Sequence, residues 1–289
     1  MNPKICIVGS ANIDQISYVD TIPSDGETVF GDSYQMGFGG KGANQAVMAG
    51  LLGADVYMIA CLGTDVYNKM TVDNLNNNNV NTDFIQTVNG SSGVAPIWVD
   101  KTGQNRIIVI PGANNLIDAD IAIDSLSNIG PLDVVVGQFE IPLEVNEKVF
   151  EYARNNGVQT VLNPAPAGDV SEKLLNNTSW FIPNEVEFEE MLGEPFNENA
   201  LLKHSKEVKP EIIVTLGEKG CAEVSDGKVY IHQAKKVTAI DTTGAGDAFV
   251  GSFAYGLASK MSKQDSIQLA LEKATNSVTK KGTQSSYRD

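Results

Sequence analysis

The chain has 289 residues, of which 42% are hydrophobic and 20% charged, a composition typical of a globular protein with a sizeable core. Its net charge of −15 argues against a nucleic-acid or anionic-membrane partner, because both require a positive surface potential. The three cysteines, Cys6, Cys61 and Cys221, form neither a disulfide framework nor a zinc pattern. The amino terminus has no basic or long apolar segment, so we expect a cytoplasmic protein.

Short apolar runs alternate with helical patterns along the chain. Buried parallel strands are predicted at Ile5–Val8, Val56–Cys61, Val134–Gly137, Val158–Leu162 and Ile212–Leu216. Helices are predicted at Ala43–Leu52, Val145–Asn155, Glu185–Leu192, Ala245–Lys260 and Lys263–Thr279. This alternation predicts an α/β fold in one domain, residues 1–289, with a doubly wound, mostly parallel sheet flanked by helices.

Two regions interrupt the alternation. Residues 15–35 contain turn residues between short strand-like pieces, and Val94–Asp100 and Arg106–Ile110 flank a Lys-Thr-Gly turn typical of a β-hairpin. Such strands suggest a small antiparallel β lid formed by roughly residues 13–37 and 93–111, although ordinary surface hairpins fit the same pattern. Asn76–Asn79 predicts a solvated loop, and residues 280–289 predict a short polar tail.

A first glycine-rich segment covers residues 37–46 and contains a formal G-x-G-x-x-G match. No buried strand precedes it, which weakens a dinucleotide-binding interpretation, and Lys41 is followed by glycine rather than by the Ser or Thr of a phosphate-binding P-loop. Lys41 and Asn44 at the head of a helix suit a polyhydroxylated ligand, because they supply a cation and a paired donor and acceptor. Glycines that merely pack a helix on a sheet remain an alternative.

A second glycine-rich segment, Asp241–Asp247, runs directly into a long helical pattern. Free N–H groups at a helix N-terminus form an anion site, and Asp247 falls in the first helical turn beside it. Phosphoryl transfer requires an anion cradle, a metal ion and a carboxylate that accepts the proton of the attacking hydroxyl. The segment supplies the first and the third, although Asp247 as a simple helix-stabilising acid is also open. Neither His204 nor His232 lies in a hydrolase or zinc motif.

Together, Gly39–Ala46 and Asp241–Asp247 resemble the two signatures of the ribokinase (PfkB-type) carbohydrate kinase family. Further matching stretches occur in family order over nearly the whole chain, at Gly9–Asp14, Asn163–Ala167, Pro183–Glu187, Thr215–Gly220 and Lys280–Ser286. The resemblance implies a ribokinase-like fold and transfer of the γ-phosphate of ATP to the 5-hydroxyl of D-ribose. Kinases of another pentose, a hexose or a nucleoside, and a non-catalytic sugar-binding protein of the same fold, are the alternatives.

The resemblance also implies roles for individual residues. Asp247 would be the catalytic base, and the amides of Gly244, Ala245 and Gly246 would hold the developing charge. The implied sugar-binding residues are Asn12, Asp14, Gly40, Lys41, Asn44, Ala95, Ile97, Glu140 and Asp247. The implied nucleotide-binding residues are Asn184, Thr215, Leu216, Gly217, Gly220 and Gly246.

The resemblance also implies two bound ions and a dimeric assembly. Glu187 would act on Mg²⁺ indirectly, and an activating K⁺ ion would be bound by Asp241, Thr243, Ser277, Lys280, Gly282 and Ser286. ATP is the implied co-substrate, and a homodimer formed through the β lid is the implied assembly. Leu271 stands where the family often has a polar residue near the adenine.

Overall fold

The structure, a computed structural model, describes residues 2–288. Its strands are β1 (Lys4–Val8), β2 (Asn12–Val19), β3 (Gly31–Gly39), β4 (Asp55–Ile59), β5 (Cys61–Leu62), β6 (Val80–Asn81), β7 (Gln86–Thr87), β8 (Gly93–Asp100), β9 (Asn105–Ile107), β10 (Val134–Gln138), β11 (Gln159–Asn163), β12 (Trp180–Phe181), β13 (Glu211–Thr215), β14 (Cys221–Ser225) and β15 (Lys228–His232). Its helices are α1 (Lys41–Leu51), α2 (Val66–Asn76), α3 (Ala119–Ile129), α4 (Leu143–Asn155), α5 (Glu172–Asn176), α6 (Glu185–Leu192), α7 (Glu198–Glu207), α8 (Ala245–Ala258) and α9 (Lys263–Ser277).

The main sheet has nine strands in the order β15-β14-β13-β12-β11-β10-β1-β4-β6. All neighbours from β13 to β6 run parallel, and only β14 and β15 are antiparallel additions at one edge. From β1 the chain first builds the sheet outwards through β4 and β6, and it then returns to build the other half from β10. Ligands of doubly wound sheets bind beyond the carboxyl ends of the strands at such a reversal.

Alternate side chains of strand β1 pack into two separate hydrophobic cores, one on each face of the main sheet. Ile5 and Ile7 pack with α1, α8 and α9 on one face of the sheet, whereas Cys6 and Val8 pack with α3, α4 and α7 on the other. All four side chains are 0% exposed, because side chains alternate across a strand and both faces are covered by helices. The predicted doubly wound α/β fold is confirmed. Leu271 lies in the first of these cores, on α9.

A second sheet has the order β3-β2-β8-β9. The pairs β2/β3 and β8/β9 are antiparallel, and the central pair β2/β8 is parallel. The strands predicted in two separate stretches of sequence therefore share one small sheet instead of forming isolated surface hairpins. This sheet, called the lid below after the prediction, begins at Asn12, close behind the carboxyl end of β1.

The sequence places most of the main-sheet elements within one or two residues of their observed bounds, and Glu185–Leu192 matches α6 at both ends. The predicted strand Val56–Cys61 is wrong at its end, because the chain leaves the main sheet after Ile59 and Cys61–Leu62 pairs instead with Gln86–Thr87. None of the helices within residues 2–288 has the length and apolar character needed to cross a membrane.

Two predictions of solvated segments are also wrong in part. Asn78, within the predicted asparagine loop, is buried, and its side chain donates to Asn74 O at 2.8 Å and accepts from Arg288 Nη2 at 2.9 Å. The predicted polar tail is a packed segment through residue 288, with a 3₁₀ turn at Gln284–Tyr287. Its buried residues are Thr283, Gln284, Ser286 and Tyr287, while residue 289 lies outside the described residues.

Candidate active site

Most of the segments that the sequence singles out follow the carboxyl ends of parallel strands in the main sheet. The turn after β1 leads to Asn12 and Asp14, the turn after β10 to Glu140, the turn after β12 to Asn184, and β13 ends at Thr215. Parallel strands bring these ends to one edge of the sheet. Two surface cavities of about 360 and 350 Å³ lie at the opposite edge, and no candidate residue lines either of them.

Asp247 lies where the two glycine-rich segments meet. It is in the first turn of α8 and 7% exposed. Asn44 Nδ2 donates to its Oδ2 at 2.9 Å, and Gln45 Nε2 donates to its Oδ1 at 3.0 Å. Burial raises the pKa of Asp247, although Lys41 and the two amides act in the opposite direction. Each carboxylate oxygen therefore keeps one fixed donor and a free lone pair.

The N-terminus of α8 is shaped for an anion. Gly244 has a φ of +75°, and a Cβ atom there would lie 2.6 Å from Tyr287 Oη, so only glycine fits. Tyr287 Oη donates a hydrogen bond to Gly244 O at 2.8 Å, which holds the turn. The first amides of a helix have no partner within it, and a Cβ added at Gly246 would meet no atom within 4 Å. Ala245 N donates to Thr242 O at 3.3 Å, and open space adjoins the helix start at Gly246.

Asp14 supplies an unpaired carboxylate on the lid side of this space. It is 9% exposed, and none of the described residues donates a hydrogen bond to its carboxylate. Burial, Glu140 and Asp247 together raise the pKa of Asp14 to about 6. A Cβ atom at Gly39 would lie 2.5 Å from Asp14 Oδ2, so the glycine makes room for this carboxylate. A buried acceptor of this kind suits a ligand hydroxyl.

Glu140 and Lys41 add opposite charges. Glu140 Oε2 accepts hydrogen bonds from Ser10 Oγ at 2.5 Å and from Lys41 N at 3.0 Å, which leaves Oε1 free of protein donors among residues 2–288. Burial lowers the pKa of Lys41, but Asp247, Glu140 and Glu187 outweigh burial and raise it. No carboxylate of the described chain lies within 4.0 Å of the Lys41 ammonium. The site therefore keeps its charged groups apart.

Asn12 and the small second sheet border the same space on the side of Asp14. Asn114 Nδ2 donates to Asn12 Oδ1 at 2.7 Å and Asn114 Oδ1 accepts from Ala11 N at 3.0 Å, so Asn12 presents its NH₂ group to the site. Ala95 lies beside Asp14 in the β2/β8 register and is 4% exposed, and Ile97 on the same face is 8% exposed. Sequence reasoning missed Asn114, because the turn that carries it matches no chemical motif.

The glycines of the first glycine-rich segment have the packing role that the sequence left open. Gly40 has a φ of +85°, and a Cβ there would lie 2.7 Å from Ala11 Cα. A Cβ at Gly42 would lie 2.7 Å from the carbonyl carbon of Gly9. These two glycines pack the head of α1 against the turn after β1, and that packing brings Lys41 and Asn44 to the site.

The implied nucleotide residues form a second group at the same edge. Asn184 pairs with Thr215 in a parallel bridge, and Leu216 N donates to Gly220 O at 2.8 Å across the turn that contains Gly217. Asn184 and Glu187 form a reciprocal capping box at the start of α6, with both hydrogen bonds at 2.8 Å. Glu187 Oε1 remains free of hydrogen bonds from the described residues.

The segments around Asp241 and Gly282 are tied to each other beside α8. Asp241 Oδ1 accepts from Thr243 N and Oδ2 from Gly282 N, each at 2.9 Å. Burial raises the pKa of Asp241, but these hydrogen bonds outweigh burial and lower it. The hydroxyls of Ser277 and Ser286 donate to carbonyls of their own turns, and Lys280 N donates to Ser277 O. The six residues that the sequence implies for K⁺ thus share one loop pair.

The two histidines belong elsewhere. His204 lies between Glu194 and Glu207 at 2.8 and 2.9 Å, and His232 lies 3.4 Å from Glu223. Within residues 2–288, no three His, Cys, Asp or Glu side chains are grouped closely enough to hold a metal ion by themselves.

Comparison with known proteins gives matches over nearly the whole chain. The model of the pfkB family carbohydrate kinases matches residues 2–289. A ribokinase of Haemophilus influenzae is 38% identical over 99% of this chain and 95% of its own, and a deoxyribokinase of Salmonella typhi is 35% identical over 98% and 95%. The structure of Arabidopsis thaliana ribokinase complexed with ribose and ATP superposes with a TM-score of 0.89, at 30% identity over 99% of this chain and 96% of that one. The chain therefore belongs to the pfkB family of carbohydrate kinases.

Proposed function

We propose that this protein is an ATP-dependent ribokinase that phosphorylates the 5-hydroxyl of D-ribose, with Asp247 as the general base. The observation that carries the proposal is the position of Asp247. Its carboxylate is held by the amides of Asn44 and Gln45 at the open N-terminus of α8, beside the unpaired carboxylate of Asp14. A hydroxyl acceptor next to an anion cradle is what phosphoryl transfer requires.

In the proposed reaction the sugar lies between the lid and α1. Asp14 and Glu140 Oε1 accept hydrogen bonds from its hydroxyls, while the Asn12 NH₂ group donates one. The 5-hydroxyl gives its proton to Asp247 as its oxygen attacks the γ-phosphorus. The amides of Gly244, Ala245 and Gly246 hold the charge that develops on the transferred group.

Ala95 and Ile97 of the lid cover the sugar and exclude water, which strengthens each of these polar interactions. The implied ATP-binding residues are those at the ends of β12 and β13 together with the start of α8. They are Asn184, Thr215, Leu216, Gly217, Gly220 and Gly246. ATP as phosphoryl donor also agrees with the cytoplasmic location expected from the sequence.

The residues present fit both ions that the family implies. Mg²⁺ prefers oxygen ligands and retained waters, and the free Oε1 of Glu187 provides a carboxylate oxygen that would hold it through water. A bound Mg²⁺ supplies neutralisation of phosphate charge. For K⁺, both Asp241 oxygens already accept N–H groups, so the backbone carbonyls and hydroxyls of its loop pair would provide the remaining ligands. These belong to Thr243, Ser277, Lys280, Gly282 and Ser286.

A homodimer through the lid is part of the proposal. The lid and its flanking segments expose apolar side chains, with Phe30 97%, Tyr34 61% and Ile108 53% exposed. Exposed apolar patches of this kind mark association surfaces. Sedimentation-velocity centrifugation of the wild type and of Tyr34→Glu tests the assembly, and a wild type that is monomeric at all concentrations contradicts it.

A second candidate substrate is 2-deoxyribose. It is favoured by the deoxyribokinase of Salmonella typhi, which is about as similar to this chain as the ribokinases are. ADP release should be measured with ribose, 2-deoxyribose, other pentoses, hexoses and nucleosides, with and without K⁺. We expect the highest kcat/KM with ribose and a gain in rate from K⁺. Preference for another sugar contradicts the ribose assignment, and sugar binding without turnover favours the non-catalytic alternative.

A further inference from the structure

Gln45 lies within the first glycine-rich signature, and the sequence assigns it no role, yet its side chain holds the carboxylate of Asp247. Gln45 is 0% exposed in α1, and its Nε2 donates to Asp247 Oδ1 at 3.0 Å and to Asn163 Oδ1 at 3.1 Å. Its Oε1 accepts a hydrogen bond from Gln138 Nε2 at 2.8 Å. Gln45 therefore joins the first turn of α8 to the carboxyl ends of β10 and β11.

The neighbouring groups decide which end of the Gln45 amide faces Asp247. Asn163 Nδ2 donates to the carbonyl oxygen of Ile182 at 3.0 Å, and a carbonyl oxygen can only accept. Asn163 Oδ1 consequently faces Gln45 and needs a donor there. The NH₂ group of Gln45 meets that need and is shared with Asp247. Because the whole group is buried, water does not compete for this NH₂ group.

We infer that Gln45 is a positioning residue of the transfer reaction, which keeps the Asp247 carboxylate in the orientation from which it accepts the sugar proton. This inference rests on the proposed function of Asp247 as base. Asn44 holds the other oxygen, but Asn44 is also a proposed sugar ligand, so its amide has two tasks. Gln45 is fully buried, and apart from Asp247 its side chain bonds only to the neutral amides of Asn163 and Gln138 among the described residues. A hydrogen bond to a buried charge is stronger than one between neutral groups.

The effect of Gln45 can be separated from that of the surrounding charges. The charged and titratable groups that act on or are acted on by the Asp247 carboxylate are Lys41, Asp14, Glu140, Glu187 and Tyr287. Gln45 is neutral, so replacing it changes none of these charges. Loss of its donor destabilises the ionised carboxylate and raises the pKa of Asp247.

The test is Gln45→Met, which keeps the length of the side chain and removes the donor. With both substrates saturating, we expect kcat to fall by about 10- to 100-fold, the size of one lost hydrogen bond to a charge. We also expect the acid limb of kcat to move to higher pH, and the KM values for sugar and ATP to change little. Wild-type kcat with an unmoved acid limb would overturn the inference.

Gln138→Met is the matched control. It breaks a buried amide hydrogen bond of the same network, but it leaves Gln45 held by Asn163 and facing Asp247. We expect some loss of stability, smaller than in Gln45→Met because Gln138 Oε1 has no partner to lose, with kcat and acid limb near those of the wild type. If both variants lose the same kcat with the same pH profile, the network is only structural and the inference is wrong.

A double-mutant cycle separates this inference from the proposed function. Asp247→Asn alone should be nearly inactive, and Gln45→Met should then add almost no further loss. An active Asp247→Asn enzyme sinks the proposed base, whereas an inactive one combined with a normal Gln45→Met enzyme sinks only the positioning of Asp247.

If Gln45→Met does not fold, Gln45→Glu preserves the shape of the side chain. The new carboxyl donates only when protonated, so its kcat relative to the wild type should fall as the pH rises. A ratio that stays constant with pH overturns the inference.

Discussion

Buried carboxylates occur in two regions of this molecule with opposite surroundings. On the β14/β15 hairpin, Glu223 is 2% exposed, and Lys263 Nζ lies 2.7 Å from its Oε2. At the candidate active site, Asp14 is 9% exposed, yet no described residue pairs with its carboxylate. Burial of a charge costs the same kind of free energy in both places. At the hairpin the protein offsets that cost itself, and at the site the offset is left to a ligand.

The difference identifies a place where buried charge lowers the stability of the fold, as we expect at a binding site. Glu140 raises the pKa of both Asp14 and Asp247, and Asp247 adds to the rise at Asp14. Among the described residues, the ammonium of Lys41 lies within 4.0 Å of none of the three carboxylates. A structural cluster would close this gap. Functional sites hold such groups apart so that substrate groups can enter between them.

The largest effect is expected from a substitution at the candidate active site. Asp247→Asn should lower kcat by about 10²- to 10⁴-fold, because the general base is lost while the amide keeps the shape of the side chain. Its stability changes through two opposing effects: burial no longer acts on a charge, but the new NH₂ group faces the donor of Asn44 or Gln45. Single-turnover kinetics with ribose and ATP measure the loss of kcat, and thermal unfolding measures the net change in stability. Near-normal turnover contradicts the assignment of the base.

For the ion pair between Glu223 on the β14/β15 hairpin and Lys263, we expect a substitution to reduce stability and not activity. Lys263→Met should lower the free energy of unfolding by about 3–5 kcal/mol, because it leaves Glu223 buried and without its cation. The kcat at 25 °C should stay near that of the wild type, since Lys263 contacts no candidate site residue. Urea denaturation measures the change.

Lys69→Met is the control for this prediction. Its ion pair with Asp73 is 81% and 56% exposed at the two side chains, so the free energy of unfolding should change by about 0.5 kcal/mol or less. Equal losses in the Lys69 and Lys263 variants would show that burial of the partner does not matter.

Asp14→Asn should weaken sugar binding and raise the free energy of unfolding. The pKa of Asp14 is about 6 in the folded protein against 3.8 for the free side chain, so the folded state binds the proton more tightly. Between about pH 4 and 6 the stability of the wild type should fall as the pH rises, and above that range the cost is fully present. The Asp14→Asn variant avoids the cost, which adds about 2–3 kcal/mol to its free energy of unfolding at about pH 7.5.

Two measurements check the Asp14 prediction. Denaturation from about pH 4 to 8 should show that the fall in stability is smaller in Asp14→Asn than in the wild type, and calorimetry should show much weaker sugar binding. Unchanged sugar affinity would remove Asp14 from the sugar site, whereas an unchanged pH dependence of stability would contradict its raised pKa.

The smallest effect concerns the support of Glu140. Ser10→Ala removes the hydroxyl that donates to Glu140 Oε2, so Oε1 should be less well aimed and the KM for the sugar should rise about 3- to 10-fold. Ser125→Ala, which removes a hydroxyl bonded only to Ile121 O in α3, should leave this KM unchanged. A normal KM in Ser10→Ala would show that Glu140 needs no such support.

Local sequence determined much of this protein. Apolar runs and helical periodicity fixed the parallel strands and the two helices α8 and α9, because burial on both faces imposes those patterns on any chain. Gly244 and Asp247 were also readable, since a glycine before a helix and an acid in its first turn have a local physical reason. The resemblance of the ordered motifs to a family added the prediction that the ligands are a sugar and a nucleotide.

Only the tertiary structure decided which side chains touch. Gln45 and Asp247 are 202 residues apart, and Asn12 and Asn114 are 102 apart, so their hydrogen bonds have no trace in local spacing. The same holds for Gln284, whose Nε2 donates to Asn44 Oδ1 at 2.9 Å from a segment that its composition marks as a polar tail. Local composition alone predicts that polar residues are exposed to solvent. They are buried here because the fold brings each one a partner, and a satisfied polar group can leave water.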